Sequence, residues 1–158
     1  MSYYPQYSAD ENRALDLWVK LARAYAVFNK EAISHIRSVG LTPTQFAVLE
    51  CLGHRGEMTL GALSEKMLMS CGNMTMVVQN LEKEGLVERV RSAEDRRVVH
   101  VDLTPLGQQR FEAIFPGHAM HIHQQAQVLS VAEQEQLATL LKKLGLGLQE
   151  RANGPETT

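Results

Sequence analysis

Four arginines, Arg89, Arg91, Arg96 and Arg97, crowd one short stretch of the chain, with Asp95 beside the last two. A guanidinium is planar and permanently charged, so such a cluster suits phosphate oxygens and the negative potential of a narrow A·T minor groove. Just upstream lie Ser70, Gly72, Asn73, Thr75, Met76, Gln79 and Asn80. Asn and Gln side chains can pair with adenine edges, and the methyls of Thr75 or Met76 can meet thymine. Ser70 suits a helix start, where free N–H groups and the helix dipole favour a phosphate. Gly72 would let that start approach a nucleic-acid backbone closely. None of the base-facing candidates is charged, so strong guanine reading is not expected and an A·T-leaning site is.

The sulfur and imidazole groups admit other chemistry. Cys51 and Cys71 are the two cysteines, too few for a disulfide framework and suited to a reducing compartment. Cys51 stands beside the core positions Leu49 and Leu52 and reads as a small apolar filler. Cys71 follows the cap Ser70 at a helix start, which lowers a thiol's pKa and makes it a redox candidate. His118, His121 and His123 fall close together, and two imidazoles sharing a helix face can begin a metal site. No CxxC or HExxH spacing accompanies them. They therefore read as satisfied or exposed histidines, and neither a metal nor another cofactor is expected. His100 falls on a strand and reads as structural. His35 and His54 fall near helix ends, where an imidazolium favours the dipole. No nucleophile–base spacing, phosphate loop or paired carboxylate points to an enzyme.

The whole-chain numbers narrow this further. The 158 residues are 44% hydrophobic and 22% charged, with 11 Gly and 5 Pro, which fits one globular domain and excludes collagen-like or disordered chains. Lys plus Arg is 16 against 18 for Asp plus Glu, a net charge of −2, so any affinity for a polyanion must come from local placement of charge. Aromatic residues make up 6%, which argues against a stacking platform for single strands. No apolar run nears the ~18–20 residues of a membrane span. Residues Met1 to Asp10 lack the basic and apolar parts of a secretory signal. A cytoplasmic location with no membrane partner is expected.

These residues need elements to position them. Ser8 and Glu11 form a capping-box signature for a helix over 8–36, with Leu15, Trp18, Ala22, Tyr25, Ile33 and Ile36 on one stripe. Thr42-Pro43 opens a second helix presenting Phe46, Leu49 and Leu52. Thr59 caps a short third helix with Leu60, Leu63 and Met67. Ser70 caps a fourth over 71–84, with Met74, Val77, Val78 and Leu81 inward and Gly85 closing it. Alternation then replaces helical spacing. Leu86, Val87 and Val90, then Val98, Val99, Val101 and Leu103, predict two strands around a polar tip over 91–97. Thr104-Pro105 begins a helix carrying Leu106, Phe111, Ile114 and Phe115, which Pro116-Gly117 kinks or interrupts. Ser130 and Glu133 start the last helix, where Leu137, Leu140, Leu141, Leu144, Leu146 and Leu148 nearly surround the axis. The tail from Ala152 is polar and expected to fray.

The fold class is mainly α with a small β-wing. A winged helix-turn-helix lobe occupies 41–103, and helices over 8–40 and 104–151 form a separate region. That region carries more apolar surface than one lobe can cover, which predicts a homodimer. Two paired lobes would meet DNA about one duplex turn apart, ~34 Å, on a pseudo-palindromic operator.

In order along the chain stand Leu63-Ser64-Glu65-Lys66, Ser70-Cys71-Gly72-Asn73-Met74-Thr75, Leu81-Glu82-Lys83-Glu84-Gly85-Leu86-Val87-Glu88-Arg89, Asp95-Arg96-Arg97 and Leu103-Thr104-Pro105-Leu106-Gly107. This ordered set resembles the MarR family of bacterial transcriptional regulators over about residues 10–148. The resemblance implies a dimer built from helices of both chain ends, a DNA-binding lobe on each side, and repression relieved by a small ligand or an oxidant. It also implies that the second arginine of the wing leans on the aspartate and enters the minor groove; the matching residues are Arg97 and Asp95. Arg96 would meet phosphate.

The stretch around Gly72–Thr75 and the run Phe115-Pro116-Gly117-His118 are similar to members linked to aromatic, phenolic or quinone-like compounds and oxidants. Family ligands bind between the dimer helices and the lobe; Trp18, Tyr25, Phe28 and Phe46 can line such a pocket or belong to the core. A zinc- or thiol-responsive regulator and a helical interaction module without DNA binding are the alternative readings.

Overall fold

The structure is a computed structural model and describes residues 6–95 and 97–154. The chain divides into two compact units, residues 1–121 and 122–158.

The first unit begins with α1, Ala9–Ser38, whose capping box closes with Glu11 N donating to Ser8 Oγ at 3.2 Å and Ser8 N donating to Glu11 Oε2 at 2.7 Å. Gly40, at φ 81°, ends it. Next comes α2, Pro43–Arg55, whose cap Thr42 shares a second capping box with Gln45. Phe46, Val48, Leu49 and Leu52 are buried along α2. A short strand follows, β1, Met58–Thr59, and Thr59 also caps α3, Leu60–Lys66, by accepting from Ala62 N at 3.1 Å. Leu68 then takes a left-handed conformation at φ 52°. Met69 N donates to Ser64 O at 2.9 Å and Leu68 N to Glu65 O at 3.1 Å, a paired closure that ends α3 and releases the chain into α4, Cys71–Lys83.

The wing is β2, Val87–Arg91, and β3, Val99–Leu103, paired antiparallel from Val87↔Leu103 to Arg91↔Val99. β1 adds to the far edge of β3, so the sheet has three strands in the order β1-β3-β2 where the sequence reading expected two. Two residues carry no alternation long enough to register as a strand. Val98, expected in the strand, lies in the turn before it, and Val90 is exposed.

One core unites these elements: Leu49, Leu52, Leu63, Met74, Val78, Leu81, Val87 and Val101 are all almost fully buried. Val77, expected inward, is half-buried against it.

The start of α5, Pro105–Ala126, is held against the end of α4. Thr104 Oγ1 donates to Gly85 O at 2.5 Å and accepts from Gly107 N at 3.0 Å, while Thr104 N donates to Leu86 O at 3.1 Å. A Cβ on Gly107 would fall 1.8 Å from Leu86 O, so the Thr-Pro-x-Gly order is a packing requirement. The helix runs through Pro116 without interruption, so of the kink or interruption expected there the interruption does not occur. Proline removes one N–H from the ladder, and buried Phe111, Ile114 and His118 hold the segment on both sides of it.

The stripe expected on α1 is not covered: Ile36 alone is buried, while Trp18 and Tyr25 are 65% and 66% exposed.

The second unit holds the end of α5 and α6, Val131–Asn153. Its capping box forms between Ser130 and Glu133. The helix extends past Ala152 to Asn153, slightly beyond the expected fraying point. Leu137, Leu140, Leu141, Leu144, Leu146 and Leu148 all remain exposed.

Candidate nucleic-acid interface

Helical spacing splits α4 into two faces. Met74, Val78 and Leu81 point into the core, which turns Gly72, Asn73, Met76, Gln79 and Asn80 to solvent. Ser70 is exposed and caps the helix by accepting from Asn73 N at 3.3 Å. Thr75 is half-buried, and its hydroxyl donates to Cys71 O at 2.7 Å. That bond leaves the Thr75 methyl as the group free to meet another surface.

The wing presents Arg97 at its tip. Arg97 Nε donates to Asp95 Oδ1 and Nη2 to Asp95 Oδ2, both at 3.1 Å, and the Arg97 backbone N donates to Asp95 Oδ1 at 3.0 Å. These bonds hold the Asp95 carboxyl below its ordinary pKa, the side-chain bond from Arg97 contributing most. The Arg97 side chain is nonetheless 91% exposed. The carboxylate thus orients the guanidinium without covering it. Ser92 Oγ accepts from Glu94 N and Asp95 N, and Ser92 N donates to Val98 O at 2.9 Å, which shapes the tip. Arg96 lies outside the described residues.

The other wing arginines part company. Arg91 is exposed at the end of β2. Arg89 folds back onto α4, where its Nε and Nη2 meet Glu82 Oε2 at 2.9 and 2.6 Å. The sequence places Arg89 among the DNA-facing cations of the wing; the structure commits it to Glu82. Opposite charges seven positions apart carry no signal until a turn brings them together. His100, read as structural, pairs its Nδ1 with Glu57 Oε1 at 2.8 Å.

A cavity of about 320 Å³ lies where the start of α4 meets the wing, bordered by Thr59, Leu60, Gly61, Cys71, Arg97, Val98 and Val99. Cys71, the redox candidate, is exposed there. Cys51 is half-buried with its Sγ 3.6 Å from Met58 Sδ, as a filler would be.

The histidines regroup in three dimensions. His118 is buried and its Nδ1 has no hydrogen-bond partner, which corrects the expectation of a satisfied or exposed ring. Its ring centroid is 4.5 Å from that of Phe46 and 5.6 Å from that of His35. His35 stacks on His121 at 5.1 Å. His123 instead meets Gln127 Nε2 at 3.0 Å. Burial holds His118 below its ordinary pKa, and repulsion from His35 and His121 adds to the effect. Among the described residues no group of three or more His, Cys, Asp and Glu side chains is arranged to hold a metal ion. No helix of the described residues is long and apolar enough to cross a membrane.

Comparison with known proteins matches this geometry to a family. The family model described as "MarR family" matches residues 41–99. The HTH-type transcriptional regulator MhqR of Bacillus subtilis is 39% identical over 141 residues, 89% of this chain and 97% of that protein. The HTH-type transcriptional repressor MdtR of the same organism is 27% identical over 137 residues, 87% of this chain and 88% of that protein. Among solved structures, a mutant MarR from Escherichia coli complexed with operator DNA superposes with a TM-score of 0.75 at 25% identity, covering 87% of this chain and 99% of that one. The chain belongs to the MarR family, and is thus a DNA-binding transcriptional regulator of winged helix-turn-helix fold and not an enzyme.

Proposed function

We propose that the protein is a homodimeric repressor that lays α4 into the major groove of a pseudo-palindromic operator while the wing grips the adjoining minor groove. The observation that carries this reading is Arg97, 91% exposed at the wing tip and oriented by Asp95. Arg97 enters the minor groove, and Asn73, Thr75, Met76, Gln79 and Asn80 face base edges. Ser70, Gly72 and the start of α4 meet phosphate, with Arg91 beside the backbone. Arg89 acts through Glu82, holding the wing to α4. Repression is supported by the name of one relative, MdtR, a transcriptional repressor.

The lobe over 41–103 reads DNA, and helices over 8–40 and 104–151 pair with a second copy. Uncovered leucines on α6 and uncovered Trp18 and Tyr25 on α1 favour such a partner, because large exposed apolar surfaces mark interaction sites. A small aromatic, phenolic or quinone-like compound or an oxidant relieves repression. A groove of about 640 Å³ on α1 supports the ligand: Tyr25 and Ile33 offer apolar contact, and Lys30 and Arg37 offer cations to a phenolate. Exposed Cys71 beside Arg97 supports a second, thiol-based release, since an adduct on Cys71 would add bulk between α4 and the wing.

Selection of duplexes from a randomised pool tests the reading. Enrichment of an A·T-leaning inverted repeat, with mobility shifts lost on Arg97→Ala, is the expected result. Failure to enrich any duplex while the protein remains an intact dimer would overturn it in favour of a helical interaction module.

A further inference from the structure

We propose that His35, His118 and His121 form a proton-operated latch between α1 and α5, closed while all three rings are neutral and opened by acid. The consequence for DNA binding rests on the proposed function above; the latch itself does not.

The three rings come from two helices and pack as one group. His35 stacks on His121 with ring planes 20° apart and centroids 5.1 Å apart, and His118 tilts against His35 at 5.6 Å. Phe46 of α2 closes the far side of His118 at 4.5 Å. Two of the ring nitrogens, Nδ1 of His35 and Nδ1 of His118, are buried with no hydrogen-bond partner. His121 Nε2 lies 3.1 Å from the backbone carbonyl of Glu31 and uses it as a neutral ring can. A neutral imidazole has one N–H to place, whereas an imidazolium has two. The extra N–H on His35 or His118 would face rings with no acceptor, and a buried cation is costly unless paired.

No neighbouring element supplies that pair. From α1, Glu31 contributes its backbone carbonyl. From α2, Phe46 faces the cluster; further along that helix, half-buried Glu50 is held above its ordinary pKa by burial and feels the charge of His54, whose ring lies edge-on to Phe111 and Phe115. From α5, Arg110 donates to Val39 O at 2.6 Å. Among the described residues the one histidine within 4.0 Å of a carboxylate is His100, on Glu57. A proton arriving in the cluster therefore meets two other imidazoles and no counter-charge. The lowered pKa of His118 agrees with this geometry.

The placement gives the proton leverage. α1 leads through residues 39–42 directly into α2, so the helix that carries His35 is joined to the lobe by a short connection. Arg110 of α5 bonds Val39 at the end of α1, and Gly117 packs beside His35, where a Cβ would lie at ordinary contact distance, 3.6 Å from Nε2. Protonation favours separation of α1 from α5, and separation shifts α4 and the wing away from the setting that reads an operator.

The test measures binding of a selected duplex by fluorescence anisotropy between about pH 7.5 and about pH 5.5, the span in which histidine titrates. The wild-type protein is expected to lose affinity severalfold as the pH falls across that span. His118→Phe, which keeps a ring against Phe46, and His35→Gln should each lose less than about twofold over the same range. His100→Gln should follow the wild type. Equal affinity of the wild type at both pH values, or the same loss in wild type, His118→Phe and His35→Gln, would overturn the latch. NMR titration of the imidazoles in the DNA-free protein provides a separate measurement. His118 should titrate below the ordinary histidine value together with shifts in α1 and α5 backbone signals, and titration of His118 at the ordinary value without those shifts would refute it. Absence of duplex binding already at pH 7.5 would refute the DNA reading, and the NMR result would then decide the latch alone.

Discussion

Arg89 on β2 closes a two-point ion pair on a single oxygen of Glu82 on α4, its Nε at 2.9 Å and its Nη2 at 2.6 Å. Both side chains are about two-thirds covered, at 29% and 37% exposure. The pair therefore lies between the weak surface bridges and the costly buried ones. It connects α4 to the wing strand that follows it. Removing either partner, Glu82→Gln or Arg89→Gln, should lower stability by about 1 kcal/mol in urea unfolding. The double variant should cost less than the sum of the two. The slope of DNA affinity against salt should stay the same in Arg89→Gln, since a guanidinium held by Glu82 releases no counterion from DNA.

Arg97 should behave oppositely. Arg97→Ala is expected to leave the unfolding midpoint unchanged, because the pair with Asp95 is exposed. Its operator affinity should fall about ten- to a hundredfold, the range of one good groove contact. Asp95→Asn keeps the cation and loses its orientation, so a fall of about threefold is expected from the greater freedom of the side chain. Titrations of both variants against one duplex separate charge from positioning.

Gly107 gives a prediction about folding alone. A Cβ at this position would lie 1.8 Å from Leu86 O, a backbone atom that no side-chain rotation relieves. Gly107→Ala should therefore cost about 3 kcal/mol or more. Gly72→Ala, where a Cβ meets nothing within 4 Å, should leave stability level or slightly raised. Thermal melting of the pair distinguishes a packing glycine from an open one.

Leu68 occupies a left-handed backbone conformation at φ 52° and is 79% exposed. That conformation costs a side-chain-bearing residue about 1–2 kcal/mol, partly offset by glycine's larger entropy when unfolded. Leu68→Gly should raise stability by about 0.5–1 kcal/mol, read as a shift of the urea midpoint at constant slope.

The burial of His118 also ties stability to pH. Its folded pKa lies below the ordinary 6.5, so the unfolded chain binds the proton more readily. Stability contributed by the neutral ring is thus fully present above about pH 6.5 and falls as the pH drops toward the lowered folded value. Melting temperatures should decline through that window in the wild type and decline less in His118→Phe.

Local chemistry made the elements legible in advance. Ser8 with Glu11, Thr59, Ser70 and Ser130 with Glu133 each announce a helix start through contacts within four residues, and each cap forms. The spacing of Met74, Val78 and Leu81 decides which face of α4 is left for other partners, because helical geometry converts spacing into direction. The pairing of Asp95 with Arg97 is equally local.

Tertiary structure decided the rest, and for one physical reason: long-range contacts leave no trace in sequence spacing. β1 is a strand because β3 offers it two partners. Pro116 sits within an unbroken helix because the residues on both sides of it are buried. Arg89 turns from a free cation into a strut because the bend at Gly85 brings Glu82 within reach. His35, eighty-three positions before His118, becomes its neighbour because α1 and α5 pack together, whereas His123, five positions after it, meets Gln127 instead.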